Sequence, residues 1–152
     1  MKRLFDLILA LVTVLLLFLP IIMVSVLVKL TSKGPALYWS NRVGKNNAIF
    51  KMPKFRSMKV DTPVVATHLL ADPKSVLTPV GDFLRKSSLD ELPQLWNVLR
   101  GEMSLVGPRP PIRRYVQRYP VLYAQVLRTP PGLTGLGALR FIQHEQRLLR
   151  RC

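Results

Sequence analysis

Acidic residues are scarce in this chain. Across 152 residues, eight Asp and Glu face twenty-three Lys and Arg, a formal net charge of +15, with an isoelectric point near 11.0. That imbalance excludes a charge-balanced surface and points to a polyanionic partner: nucleic acid, an anionic membrane or a phosphorylated substrate. Cysteine is nearly absent. Cys152 by itself forms no internal disulfide and supplies no zinc site, which fits a reducing compartment. His68 and His144 lack metal-ligand company, and no Gly-rich phosphate loop, nucleophile elbow, internal repeat or heptad occurs. The length allows one domain with a core.

Apolar residues, by contrast, are plentiful. They make up 49% of the chain, and a mean hydropathy of +0.21 is high for a domain this basic and leans towards a membrane. From Leu7 to Val28, "LILALVTVLLLFLPIIMVSVLV" carries no charge. As a helix rising about 1.5 Å per residue, it is long enough to cross a hydrocarbon core of about 30 Å. It is too long for a signal peptide and lacks a small-x-small cleavage site. Basic residues flank it on both sides, Lys2 and Arg3 before, Lys29 and Lys33 after, and the positive-inside bias would keep both flanks on the cytoplasmic side. Pro20 removes a backbone hydrogen bond in mid-run and pushes Leu19 away from helical geometry. Two readings stay open: a helix bent at Leu19–Pro20 that dips into one leaflet, its freed carbonyls met by groups such as Thr13 and Ser25, or a single-pass helix with a proline kink.

"TSKGP" at 31–35 ends the apolar segment. "AIFKMPKFRSM" partly alternates and reads as extended, with Pro53 arguing against a central strand. Residues 60–77 read as a loop. "TPVGDFLRKS" predicts a helix with Thr78 as N-cap and Pro79 in its first turn. "DELPQLWNVLRG" predicts another, with Asp90 at the N-cap, Pro93 in the first turn and Gly101 at the stop. "MSLVGPRPP" is stiffened by prolines. Short helices are expected around 113–118 and 121–128, then the turn "TPPGLTG", then a last helix over 138–150.

Two of the eight acids stand together in "SSLDELPQ", as Asp90 and Glu91. Acids are common at helix starts, where they complement exposed N–H groups and the macrodipole. An exposed, ionised carboxylate there could also attack phosphorus, and two adjacent carboxylates could share a magnesium that bridges a diphosphate. Both roles are compatible with one position. Among the cations, Arg109 lies between Pro108 and Pro110, so its guanidinium is aimed with little entropy cost, which suits capture of a phosphate. Lys54 and Arg56, two apart on an extended segment, would share a face, and Arg85 lies five residues before Asp90. A faint interleaving of aromatic and basic residues in "LYWSNRVGKNNAIFKMPKFR" offers little for nucleic acid, and the apolar N-terminal run argues against that partner.

In order, "KRLFD", "SKGPALYWSNRVG", "FKMPKFRSMKVD", "LTPVGDFLRKSSLDELPQLWNVLRGEMSLVGPRP" and "PGLTGL" resemble the bacterial sugar transferase family, the monotopic phosphoglycosyl transferases that begin polyprenol-linked glycan assembly. The resemblance runs from residue 2 to about residue 140. It implies a mainly α fold with short extended segments: a re-entrant membrane helix over 1–30, broken at Pro20, and a compact helical catalytic domain over 31–152 on the cytoplasmic face of the bacterial inner membrane. It also implies a Mg2+-dependent enzyme that moves sugar-1-phosphate from a UDP-sugar to polyprenyl (undecaprenyl) phosphate and releases UMP. Asp90 would be the nucleophile of a covalent phosphosugar intermediate and would touch the magnesium, with Glu91 assisting. Lys54, Arg56, Arg85 and Arg109 would bind substrate phosphates. Membrane lipid is an implied partner, nucleic acid is not, and a homodimer is left open.

Two departures from the family pattern concern single residues: Leu19 stands where small members often carry Ser, and Pro53 where an aromatic is more usual. The chain also stops soon after "GALRFIQHEQRLL", where members continue, so truncation at the C-terminus is an open expectation, as is likeness to the catalytic core alone. A different class of function also stays open, an inactive membrane-anchored adaptor that binds anionic lipid or nucleic acid through its basic surface.

Overall fold

In a computed structural model of the protein, residues 1–60, 62, 75–135 and 137 are described. The helix expected over 138–150, most of the loop expected over 60–77, His68, His144 and Cys152 lie outside them. Helices dominate, with four short strands among the described residues.

The apolar N-terminal run forms two helices, α1 (Lys2–Leu16) and α2 (Phe18–Thr31), broken at Leu17. The break falls three residues before Pro20, not at Leu19–Pro20. Proline cannot donate to the carbonyl four residues back and its ring crowds that carbonyl, so disruption lands one turn upstream. Pro20 itself then sits in the first turn of α2, where no donor is missed. Among the described residues, no single helix is long and apolar enough to cross a membrane; α1 and α2 pass that test only together, bent by 61°. Both leave many large side chains exposed, among them Phe5, Ile8, Leu16, Leu19, Met23 and Leu30.

Strands β1 (Leu37–Val43) and β2 (Ile49–Phe55) pair in a two-stranded sheet. The turn between them places Asn46 and Asn47 at positive φ, a conformation asparagine tolerates better than most residues. β2 is the segment predicted to be extended, and a two-stranded sheet has only edges, so Pro53 is accommodated. β1 lies in a run of mixed aromatic and basic residues with no alternation that announces a strand.

Helix α3 (Gly81–Lys86) begins two residues later than Thr78 as N-cap would set it. Thr78 is buried and its carbonyl accepts from Gly81 N at 2.8 Å, so Thr78–Gly81 is a turn that precedes the helix. A 3-10 helix (Leu89–Gln94) follows, then α4 (Leu95–Arg100). The helix expected to start at Asp90 is therefore split. Glu91 N bonds Ser88 O at 3.1 Å, an i to i−3 contact, and regular α geometry begins only after Pro93, which cannot donate to Leu89. Gly101 caps α4 in the left-handed region at φ 87, as its position suggested.

β3 (Ser104–Val106) and β4 (Gly132–Thr134) form a parallel pair in the register Ser104 to Gly132 and Val106 to Thr134. Both lie in stretches read as proline-stiffened loop and turn. Gly107 and Gly132 meet back to back, and a Cβ on either would strike backbone. Helices α5 (Arg113–Arg118) and α6 (Pro120–Val126) match the two short helices expected there.

The chain divides into two compact units. The first takes Met1–Leu17, Trp39–Met52 and the described chain from Gln94; the second takes Phe18–Tyr38 and the described part of Pro53–Pro93. The first unit has its own core: Ala10, Phe50, Met52, Leu95, Val98 and Met103. Polar contacts fasten α1 within it. Arg3 donates to the α4 carbonyls of Val98 at 2.5 Å and Leu99 at 2.9 Å, Lys2 donates to Val106 O at 3.0 Å, and buried Asp6 accepts from Ser104 Oγ at 2.7 Å. The second unit is built on Val24, Val28, Phe55 and Leu84, with Leu89 and Leu92 packed against them.

Candidate active site

The second unit contains the acidic pair and three of the four predicted cations, Lys54, Arg56 and Arg85. Lys54 comes from the end of β2, between buried Pro53 and buried Phe55. Asp90 and Glu91 come from the 3-10 helix, whose Leu89 and Leu92 face the same core as Phe55. Both backbones are thereby fixed by apolar packing on either side of the charged groups. Ser88, at φ 58, makes the left-handed step that turns the chain from α3 into this helix, a strained conformation of the kind found at functional sites.

Lys54 Nζ donates to Glu91 Oε1 at 2.7 Å, and each side chain is 19% exposed. Asp90 is only 7% exposed. Burial pushes its carboxyl above the ordinary aspartate value; Lys54 opposes that rise, Glu91 adds to it, and Arg85 and Asp90's own backbone N–H oppose it. The expected exposure at a helix start is corrected here: Asp90 is buried, and desolvation outweighs the neighbouring positive charge, so its carboxyl ionises less readily than an ordinary aspartate's. A buried carboxylate of raised basicity is a better nucleophile when ionised than one at a solvated cap.

The other predicted residues are placed as follows. Arg85 is in the last turn of α3, exposed, and acts on Asp90 through its charge. Arg56 Nε donates to Pro35 O at 2.9 Å, which ties the chain after β2 to the segment that follows α2. Arg109 belongs to the first unit, on an exposed position after β3. Its loop is held from both sides: Gly132 N donates to Pro108 O at 2.8 Å, Val43 N to Pro111 O at 3.0 Å, and Arg42 to Pro110 O at 3.4 Å. The rigid backbone expected from Pro-Arg-Pro is thus reinforced by hydrogen bonds from β1 and β4.

Among the described residues, no group of three His, Cys, Asp or Glu could hold a metal ion. The donor set is Asp90 and Glu91, one of which bonds Lys54. Magnesium is commonly held by one or two carboxylates together with substrate phosphates and water, so this set fits an ion brought in with a diphosphate rather than a resident one.

Sequence reasoning missed Asp6 and its partners. Asp6 is the only acid in the first sixty residues, and an acid at the start of an apolar helix must find donors when the chain folds. Ser104 Oγ and Leu105 N supply them, at 2.7 and 3.4 Å.

A family model described as bacterial sugar transferase matches residues 1–151. The chain is 40% identical over 153 residues to the "UDP-galactose-lipid carrier transferase" of Erwinia amylovora, covering 90% of this chain and 31% of that protein. It is 40% identical over 154 residues to the "Undecaprenyl-phosphate galactose phosphotransferase" of Salmonella typhimurium, covering 90% and 32%. With the "UDP-glucose:undecaprenyl-phosphate glucose-1-phosphate transferase" of Caulobacter vibrioides it shares 44% identity over 146 residues, 91% of this chain and 53% of that one. The chain therefore spans about a third of the first two relatives and about half of the third.

Proposed function

The chain belongs to the bacterial sugar transferase family, and we propose that it transfers a sugar-1-phosphate from a UDP-sugar to a polyprenyl phosphate such as undecaprenyl phosphate, with Asp90 as the nucleophile. The observation that carries this reading is a buried carboxylate of raised basicity beside a Lys54–Glu91 ion pair. The names of relatives about 40% identical across nine-tenths of the chain support the substrate classes.

In the first half-reaction an Asp90 oxygen attacks the phosphorus that bears the sugar. The bond from that phosphorus to the bridging oxygen breaks and UMP leaves with the electron pair. In the second, an oxygen of the polyprenyl phosphate attacks the same phosphorus and displaces the Asp90 carboxylate. The sum is polyprenyl diphosphate sugar plus UMP, with Asp90 regenerated. Arg85 and Arg109 would hold phosphate oxygens, Arg109 through a planar two-point contact. Magnesium, held by Asp90 and the diphosphate, would supply neutralisation of phosphate charge.

The reaction joins a water-soluble donor to a lipid acceptor, so the protein would work at the cytoplasmic face of the bacterial inner membrane. A re-entrant α1–α2 pair fits that demand. Lys2, Arg3 and Asp6 bond to α4 and β3, while the chain leaving α2 returns through β1 to Pro111 in the same unit. The basic flanks, Lys2 and Arg3 before the pair and Lys29 and Lys33 after it, would keep both its ends on one side of the bilayer. Single cysteines at positions 2 and 33, in a Cys152→Ser background, should both resist labelling from outside intact cells. Labelling at position 2 would establish a spanning helix.

The direct test of activity is UMP release from UDP-glucose, UDP-galactose and UDP-N-acetylgalactosamine with Mg2+ and undecaprenyl phosphate. Release should require at least one of these donors. A folded protein that releases no UMP from any UDP-sugar would be the inactive adaptor instead.

A further inference from the structure

We propose that Lys54 acts on the donor through Glu91: it cancels the Glu91 charge so that an anionic diphosphate meets one carboxylate, Asp90, rather than two. This rests on the transferase reading, and it replaces the role that the resemblance implies for Lys54, a direct phosphate ligand. The geometry carries it. Lys54 Nζ lies 2.7 Å from Glu91 Oε1, across a sequence separation of 37 residues, and each side chain is 19% exposed. The two parent segments are pinned to one core by Phe55, Leu89 and Leu92. The pair is built into the fold, unlike Lys86–Asp82, whose side chains are 74% and 60% exposed and lie one helical turn apart. Partial desolvation matters because charges there are poorly screened.

The electrostatic problem is simple. Asp90 and Glu91 are adjacent, and a UDP-sugar brings two more negative charges. Without a counter-charge, Glu91 would repel the phosphorus that Asp90 must approach. An ion pair removes that repulsion and leaves Asp90, whose burial keeps it basic, as the reacting group. A lysine aimed at phosphate and a lysine that neutralises Glu91 both predict that its loss weakens donor binding. They differ in what happens when Glu91 is neutralised as well.

The experiment measures UDP-glucose and UDP-galactose binding to the full chain in an Asp90→Asn background, where no phosphoryl transfer can occur, with Lys86→Met as the control. Lys54→Met should weaken binding by about tenfold or more, the scale for leaving one partner of a partly buried pair uncompensated. Lys54→Arg should keep it within about threefold, because a guanidinium still pairs with a carboxylate. The double variant Lys54→Met/Glu91→Gln should recover to within about threefold of the parent, because nothing then needs neutralising. A double variant as weak as Lys54→Met alone would overturn the proposal and make the lysine a phosphate ligand. Thermal melting of the parent, Lys54→Met, Glu91→Gln and the double variant closes the cycle. Coupling between the two positions should be favourable, and coupling near zero would also overturn the proposal, whatever the protein transfers. If the parent binds no UDP-sugar while the coupling is intact, the transferase reading fails instead.

Discussion

Asp6 and Asp90 are the two buried carboxylates among the described residues, at 4% and 7% exposure, one in each unit. Asp6 is surrounded by donors: Ser104 Oγ bonds one oxygen and Leu105 N the other. Its burial is compensated, and its effect is to fix α1 against β3. Asp90 is surrounded by charges of both signs, and desolvation prevails over the lowering effect of Lys54 and Arg85, so its carboxyl is pushed up. The difference teaches that burial alone does not mark a catalytic acid. A buried carboxylate that the fold satisfies is a fastener, and one that the fold leaves basic is available for chemistry.

The largest effect expected is loss of turnover in Asp90→Asn. The amide keeps the shape but has no charged oxygen for phosphorus, so UMP release should fall by more than about a thousandfold, roughly 4 kcal/mol of barrier. Turnover within about tenfold of the parent would erase the distinction between the two aspartates.

Arg109→Lys asks whether the unit that contains Asp6 is scaffold alone. Losing a planar charge-assisted contact costs about 1.5–3 kcal/mol, so the rate should fall by about ten- to a hundredfold. Parent-like steady-state kinetics would leave the first unit with no part in the reaction.

Asp6→Ala tests the fastener. It strands a buried hydroxyl and a backbone N–H, at about 1–3 kcal/mol of stability, and should lower Tm by about 2–4 °C per kcal/mol. UMP release per folded molecule should remain within a few-fold of the parent. A collapse of kcat in a fully folded Asp6→Ala would give Asp6 more than a structural role.

The smallest effect concerns sign. Because Asp90 has a raised value in the folded state, its contribution to stability is present below the ordinary value of 3.8 and is lost as pH rises through the folded value. Asp90→Asn, neutral at every pH, should therefore melt at or above the parent at pH 7, with the gap closing towards pH 3.8. The acid limb of kcat in the parent should lie above the ordinary aspartate value, because attack needs the ionised form. A melting temperature at pH 7 clearly below the parent's would mean that the Asp90 carboxylate is compensated much as Asp6 is.

Local chemistry was legible where one residue decides the outcome. Gly101 ends α4 because only a residue at ease with positive φ suits that place, and the 113–118 and 120–126 helices show in their own patterns. The pairing of β3 with β4 was not legible. It joins segments about 28 residues apart through backbone hydrogen bonds and close glycine contacts, with no side-chain alternation to announce it. The shift of the break in the apolar N-terminal run from Leu19 to Leu17 follows from where proline's missing bond falls. At the site, adjacency of Asp90 and Glu91 was plain. Which of them takes Lys54 was not, because that depends on how β2 and the 3-10 helix meet on a shared core.

The covalent intermediate is the central claim, and it can be measured without an acceptor. The protein is mixed with UDP-sugar and Mg2+, quenched within seconds, digested and analysed by mass spectrometry. The account predicts a hexose-phosphate adduct on the peptide containing Asp90, accompanied by a burst of about one UMP per chain. UMP release that waits for undecaprenyl phosphate, with no adduct on Asp90 at any time, would contradict it.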